Sequence, residues 1–247
     1  MVYIKTNLQL PKEIRAVQQG RHISGPVPVM NPGAIGAQVV DERGNPLPPE
    51  AHEGPSGADK YQDPEVAESY DAKRENTVKH QEEQVIIEEW LSELPQGNWV
   101  MDCPVGTGRF IPFYHEHGLL CRAVDKSRAM LEKAAAKVAE GQHISFNEGN
   151  VLDLAGAGFM ENSVDAAIMI RLTRWLSPEQ CVQAYAQLMR VARKQVIITM
   201  RVTEGHPHVR GYDLVEAALH NSGWQIGRNL GIPSDQGYRI VEFVPCG

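Results

Sequence analysis

The chain has 247 residues, 42% of them hydrophobic, enough to bury one sizeable core plus an appendage. A formal net charge of −7 advertises no general polyanion-binding surface and argues against nucleic acid as the substrate. Cys103, Cys121, Cys181 and Cys246 form no C-x-x-C pair, and no run is apolar enough for a membrane span or signal peptide, so a soluble cytoplasmic protein is expected.

Residues 1–60 read as an arm. Met1 to His22 mixes Tyr3, Ile4, Leu8, Leu10, Ile14 and Val17 with Lys5, Lys12, Arg15 and Arg21, a locally basic character. From Ser24 to Lys60 the chain is dense in Pro and Gly, which sustain neither helix nor central strand. The segment is either a disordered tail or a tether that docks a protein partner. A domain spanning residues 61–247 follows. Asp63 caps a helix with Pro64 at its first position, and a second helix buries Val85, Ile86, Trp90 and Leu91 before Pro95.

Trp99 to Asp102 is a short apolar strand ending in an acid, and Cys103-Pro104-Val105-Gly106-Thr107-Gly108 is a glycine turn opening a helix. Glycine lets a ligand approach the backbone, and helix N-terminal amides favour an anion. A dinucleotide fingerprint needs a third glycine where Ile111 stands, and Asp102 would repel a pyrophosphate. No Gly-Lys-Ser/Thr follows, which excludes a P-loop. A ligand with a carboxylate for the helix and a positive charge for Asp102 fits better, and S-adenosylmethionine has both.

The segment resembles motif I of class I S-adenosylmethionine-dependent methyltransferases, with Pro104 at the family's first glycine position. The resemblance implies that Asp102, Cys103, Pro104, Gly106 and Gly108 hold the methionyl part of the cofactor. It also implies that a short helix around Val66 to Asp71 lids the cofactor. Tyr70 and Arg74 then either face the methionyl end, with Tyr70 near substrate, or pack and sit on a solvated surface.

Leu119 to Asp125 is a second strand ending in an acid, one α/β crossover after the first, and Asp125 can accept from both ribose hydroxyls. Ser127 caps a helix over Arg128 to Glu140 whose Met130, Leu131, Ala134 and Val138 share a face. By resemblance, Lys126 and Met130 border the adenosine pocket. Ile144 to Phe146 is the third strand. By the same resemblance, Asn150 beside Val151 stands where the family often has an acid accepting from the adenine amino group, and its carbonyl can still accept. Val164 to Ile170 is a fourth strand buried on both faces, and Gln195 to Met200 a fifth.

After a helix over Asp213 to Asn221, strands starting at Trp224 and spanning Tyr238 to Val244 follow without a helix between them, which reads as a hairpin. The expected fold is therefore a three-layer α/β/α sandwich on a seven-stranded, mostly parallel sheet with a C-terminal antiparallel hairpin.

Methyl transfer is an in-line displacement that needs alignment first and a base only for a protonated nucleophile. Family resemblance fixes no catalytic residue; His206 and His208, in the loop after strand five, are candidate bases. H-x-H lacks further ligands, so no metal is expected. By the same resemblance, Met169, near the end of strand four, borders the cofactor. Arg171 and Arg174 follow it and suit a carboxylate or phosphate in a substrate, or else make surface salt bridges. The expected activity is methylation of a small molecule or protein side chain. The alternatives are a binding or assembly module docking through residues 1–60, and an RNA methyltransferase with a basic face at Arg171, Arg174, Arg190 and Arg193.

Overall fold

The computed structural model describes residues 77–202 and 211–247. The arm at residues 1–60, the helix start at Asp63, Tyr70, Arg74, His206 and His208 lie outside them. In chain order the elements are α1 (Val78–Leu91), β1 (Trp99–Asp102), α2 (Ile111–Glu116), β2 (Leu120–Asp125), α3 (Arg128–Ala135) and β3 (Ile144–Glu148). A 3-10 turn at Val151–Asp153 leads to β4 (Val164–Met169), and another at Thr173–Trp175 leads to α4 (Pro178–Val191). Then come β5 (Ala192–Arg201), α5 (Tyr212–Leu219), β6 (Trp224–Ile232) and β7 (Asp235–Pro245).

These strands form one seven-stranded sheet in the order β3-β2-β1-β4-β5-β7-β6. The first five are parallel, and β7 runs antiparallel between β5 and β6. The expected architecture is the one observed. Strand order reverses at β1, which pairs with β2 on one side and β4 on the other. In an open parallel sheet such a switch point leaves a crevice beyond the strands' carboxyl ends. Asp102, Asp125 and Met169, which end β1, β2 and β4, share that edge.

Alternation along each strand divides the interior into two layers of side chains. Met101, Ala167, Met169, Val196, Ile198, Val241 and Phe243 pack on the face with α4 and α5. Val100, Ala166, Ile168, Ile197 and Ile240 pack on the face with α1, α2 and α3. β4 is buried at all six positions, as a strand covered on both faces requires. α4 shows how local and tertiary signals agree. Ser177 and Gln180 form a reciprocal capping box, Pro178 occupies the first turn, and Cys181, Ala184, Tyr185, Leu188 and Met189 turn inward. The cap is worth ~1 kcal/mol and each large buried side chain ~1.5–3 kcal/mol, so packing dominates.

Several boundaries depart from the sequence reading. Val85 is 63% exposed, and Ile87 takes the core position beside Ile86, Trp90 and Leu91. The buried stripe of α1 also contains His80 and Glu83, for a reason the site supplies. α3 stops at Ala135 rather than Glu140, because the following amides turn back to carbonyls three residues earlier, Lys137 to Ala134 and Val138 to Ala135. The Gln142 carboxamide then accepts from the Ala139 N–H and donates to the Ile111 carbonyl. β6 continues from Trp224 to Ile232 through Gly227 and Gly231. Those glycines mark register shifts between Ile226 and Asn229 and between Gly231 and Ile232.

Candidate functional site

A cavity of about 510 Å³ opens at the carboxyl ends of β1, β2 and β4, a size usual for ligand sites. Of the residues expected to hold the cofactor, all except Gly108 and Met169 line it.

Asp102 is 2% exposed. Its Oδ2 accepts from the Tyr114 hydroxyl at 3.1 Å. Burial pushes its carboxyl up to about 7, the Tyr114 bond opposes that shift, and the charge of Asp125 adds to it. The glycine loop reaches across to the second acid: Gly106 N–H donates to Asp125 Oδ2 at 2.9 Å. Ser127 N–H donates to Asp125 Oδ1 at 2.9 Å, and the Ser127 hydroxyl caps α3 by accepting from Met130 N–H. Burial raises the Asp125 carboxyl above its ordinary range, against the bonds from Ser127, Gly106 and Lys126 backbone amides. The two acids are both desolvated, and the charge of Asp125 acts on Asp102. A cation or a pair of hydroxyls would compensate them.

Gly106 has φ +55, and an added Cβ would meet nothing within 4 Å, leaving the loop open to a ligand. Gly108 differs. It stands outside the cavity wall, and a Cβ there would lie 2.9 Å from Ala134 Cα and 2.6 Å from Ile111 Cδ1. Its role is close packing of the loop on α3, the task the dinucleotide fingerprint gives its third glycine. Met169 is fully buried in the core, and by strand alternation the next residue, Ile170, lines the cavity. Asn150 lines it, but its side-chain carbonyl accepts from Leu152 N–H at 3.1 Å, capping the 3-10 turn. One lone pair remains for a ligand. Cys103 is buried, and burial together with Asp125 and Asp102 pushes its thiol well up, so it is a neutral wall group and no nucleophile.

The other end of the cavity is basic. Arg171 adopts φ +60 immediately after β4's end, and its N–H donates to Thr199 Oγ1 at 2.7 Å. Its Nε donates to both carboxylate oxygens of Glu83, at 2.8 and 3.1 Å. Arg109, from the glycine loop, donates to the same Glu83 at 2.7 Å and to the His80 carbonyl at 2.9 Å. Glu83 is fully buried, and this pairing explains a carboxylate in the apolar stripe of α1. Arg174 is exposed, with its guanidinium 4.5 Å from the Trp175 ring centroid.

Beyond them, Lys79 and Arg201 share Asp235 at 2.7 and 2.6 Å. Arg201's bond, then Lys79's, holds the Asp235 carboxyl down to about 2 against the effect of burial. Tyr238 donates to Thr199 Oγ1 at 3.0 Å, and burial and the Glu83 charge raise its hydroxyl. Glu83, Arg109, Lys79, Arg201 and Tyr238 were not anticipated from the sequence. Only Glu83 left a trace there, as an acid at helical spacing among Ile87, Trp90 and Leu91.

Arg190 and Arg193 do not join this basic end. Arg190 donates to the Phe159 carbonyl, and Arg193 pairs with Asp165 where β4 and β5 begin, at the opposite edge of the sheet. Among the described residues Arg171, Arg174, Arg190 and Arg193 therefore do not share one face. Among the described residues no group of three or more His, Cys, Asp or Glu could hold a metal ion, and no helix is long and apolar enough to cross a membrane.

A family model described as a methyltransferase domain matches residues 100–195, from β1 through α4 into β5. No curated protein matches by sequence. Among solved structures the chain is similar to magnesium protoporphyrin IX methyltransferase from Synechocystis PCC 6803 with bound SAM, at 20% identity and TM-score 0.57, covering 68% of this chain and 80% of that one. It is similar to a SAM-dependent methyltransferase from Aquifex aeolicus at 20% identity and TM-score 0.54, covering 74% and 98%. A third similar structure is the [4+2]-cyclase SpnF, at 14% identity and TM-score 0.56, covering 67% and 81%. The domain match over residues 100–195 and the strand order with its antiparallel β7 agree: the chain contains a methyltransferase domain and has the fold of these solved structures.

Proposed function

We propose that this protein methylates a small molecule or a protein side chain at the end of the cavity bounded by Ile170, Arg174 and Trp175. The observation that carries the reading is the pair of buried carboxyls, Asp102 and Asp125, at the sheet's switch point, the second of them accepting from the Gly106 amide of the glycine loop. S-adenosylmethionine, when bound, supplies an electrophilic methyl group on a sulfonium. Asp102, Asp125 and the open face of Gly106 fit its ammonium, its ribose hydroxyls and the approach of its methionyl chain. Met130 and Val151, both buried, would exclude water from the adenosine side.

The protein's contribution is then alignment. Glu83 ties the glycine loop, through Arg109, to the end of β4, through Arg171, so the donor-binding loop and the acceptor wall are held in one geometry. Rigid placement of two reactants is worth a large share of the barrier for such a displacement. Calorimetry with S-adenosylmethionine tests the reading. One equivalent should bind the wild type, and Asp125→Ala should weaken binding at least about tenfold, ~1.4 kcal/mol. Absence of binding to the wild type, or equal binding to a folded Asp125→Ala, would sink it.

A further inference from the structure

The cavity is electrically polarised. Its donor end carries the carboxyls of Asp102 and Asp125 with Lys126 beside Asp125, and the rest of its lining carries Lys79, Arg109, Arg171, Arg174 and Arg201, of which Arg109 also acts on Asp102. Among the described residues, two carboxylates pair with four of those five cations. Glu83 serves Arg109 and Arg171, and Asp235 serves Lys79 and Arg201. Among the described residues Arg174 has no carboxylate partner; its guanidinium lies over the Trp175 ring and acts on the Tyr238 hydroxyl. Three cations also surround one aromatic ring, with Lys79 Nζ 4.0 Å from the Tyr238 centroid and the Arg201 and Arg171 guanidinium carbons at 5.5 and 5.9 Å. Rings attract cations but do not neutralise them. This surplus sits in a chain of net charge −7, so it is local and is not a consequence of composition.

Resting on the methyl-transfer reading, we infer that the acceptor is a small molecule carrying a carboxylate or phosphate, held by Lys79, Arg174 and Arg201 beside Tyr238. A cationic donor gains nothing from this end of the cavity, whereas an anionic acceptor is drawn to it and kept from the acidic end. Arg171, the first candidate from the sequence, is a positioning residue instead, because its Nε is held by fully buried Glu83 and its amide by Thr199. Asp235, which pairs with Lys79 and Arg201, is by contrast 27% exposed and leaves them open to a ligand. Lys79 is half-buried, and burial with the nearby Arg201 and Arg171 lowers its ammonium pKa against the effect of Asp235. The cations line a concavity, which favours a small ligand over a nucleic acid.

The test titrates the full chain with benzoate, phenyl phosphate and neutral benzyl alcohol by calorimetry, with S-adenosylhomocysteine saturating. At least one anion should bind about tenfold or more tighter than the alcohol. The stronger of the two anions separates a carboxylate from a phosphate preference. Arg174→Gln and Lys79→Gln should each weaken that anion about fivefold, while S-adenosylhomocysteine affinity stays within about twofold. Equal binding of benzyl alcohol, or unchanged anion affinity in both variants, overturns the proposal. So does tighter binding of an RNA oligonucleotide that the same variants abolish. Failure of S-adenosylhomocysteine itself to bind is a separate reading, and it overturns the methyl-transfer function on which the proposal rests.

Discussion

Gly106 and Gly108 both lie at positive φ in one loop, yet substitution should affect them in different currencies. At Gly108 a methyl group would run into the Cα of Ala134, a backbone atom that cannot swing aside. Gly108→Ala should lower stability by ~2–4 kcal/mol, the sum of left-handed strain and overpacking, as read by urea unfolding. At Gly106 the same methyl meets open space. Gly106→Ala should cost only ~1 kcal/mol of stability. Its loss should appear in cofactor affinity, because the methyl occupies the space through which a ligand nears the backbone. Unchanged affinity in a folded Gly106→Ala would place the ligand elsewhere. The loop itself was legible because its residues are consecutive. That Gly108 does the packing duty was not, since Ala134 comes from a different element.

Within the elements, α1 is held by more than its apolar stripe. Glu83→Gln would leave Arg109 and Arg171 without their shared negative charge in a place where water is scarce. It should lower unfolding free energy by ~3 kcal/mol, the range for breaking a buried pair from one side. Glu82 on the same helix accepts from Ser234, an exposed contact, so Glu82→Gln should cost under ~1 kcal/mol and serve as the control. Denaturant titration of both variants decides this, and equal effects would remove the staple's special status. Periodicity announced the elements of the sheet and its covering helices, along with the acids ending β1 and β2, because each is a local pattern. It could not announce a bond between Glu83 and Arg171, which are 88 residues apart, or between Lys79 and Asp235, 156 apart. Those depend on the register of strands and the angle at which α1 lies, and only packing sets them.

For the whole molecule, the acids of the cavity make stability and ligand binding pull in opposite directions with pH. Asp102 has a native pKa of about 7 against an ordinary 3.8, so the native state holds a proton that the unfolded chain releases. Its ionisation therefore costs stability as pH rises from about 4 to about 7, by up to ~1.4 kcal/mol per unit, and the cost is constant above that. Asp125 is shifted in the same direction. Asp235 works the other way: its carboxyl, held at about 2, adds stability above its ordinary range that is lost as pH falls from about 4 to about 2. Relative to Asp102→Asn, the ligand-free wild type should lose stability between pH 5 and about 7.5, measured by chemical unfolding. Over the same window the wild type should bind S-adenosylmethionine more tightly as pH rises, and the variant should not. A flat difference across the window would mean that Asp102 is already ionised in the empty site.

The position of β7 between β5 and β6 carries a consequence for biosynthesis. A ribosome releases the parallel strands first, so the nascent sheet ends at β5 with its outer backbone groups unpaired until β7 emerges. At ~5–20 residues per second that interval lasts some seconds. During it Lys79 and Arg201 exist without Asp235, and Thr199 without the Tyr238 hydroxyl. On the proposed function, the acceptor wall is therefore completed after the donor-binding loop, and the nascent chain would gain its cofactor grip before its acceptor site.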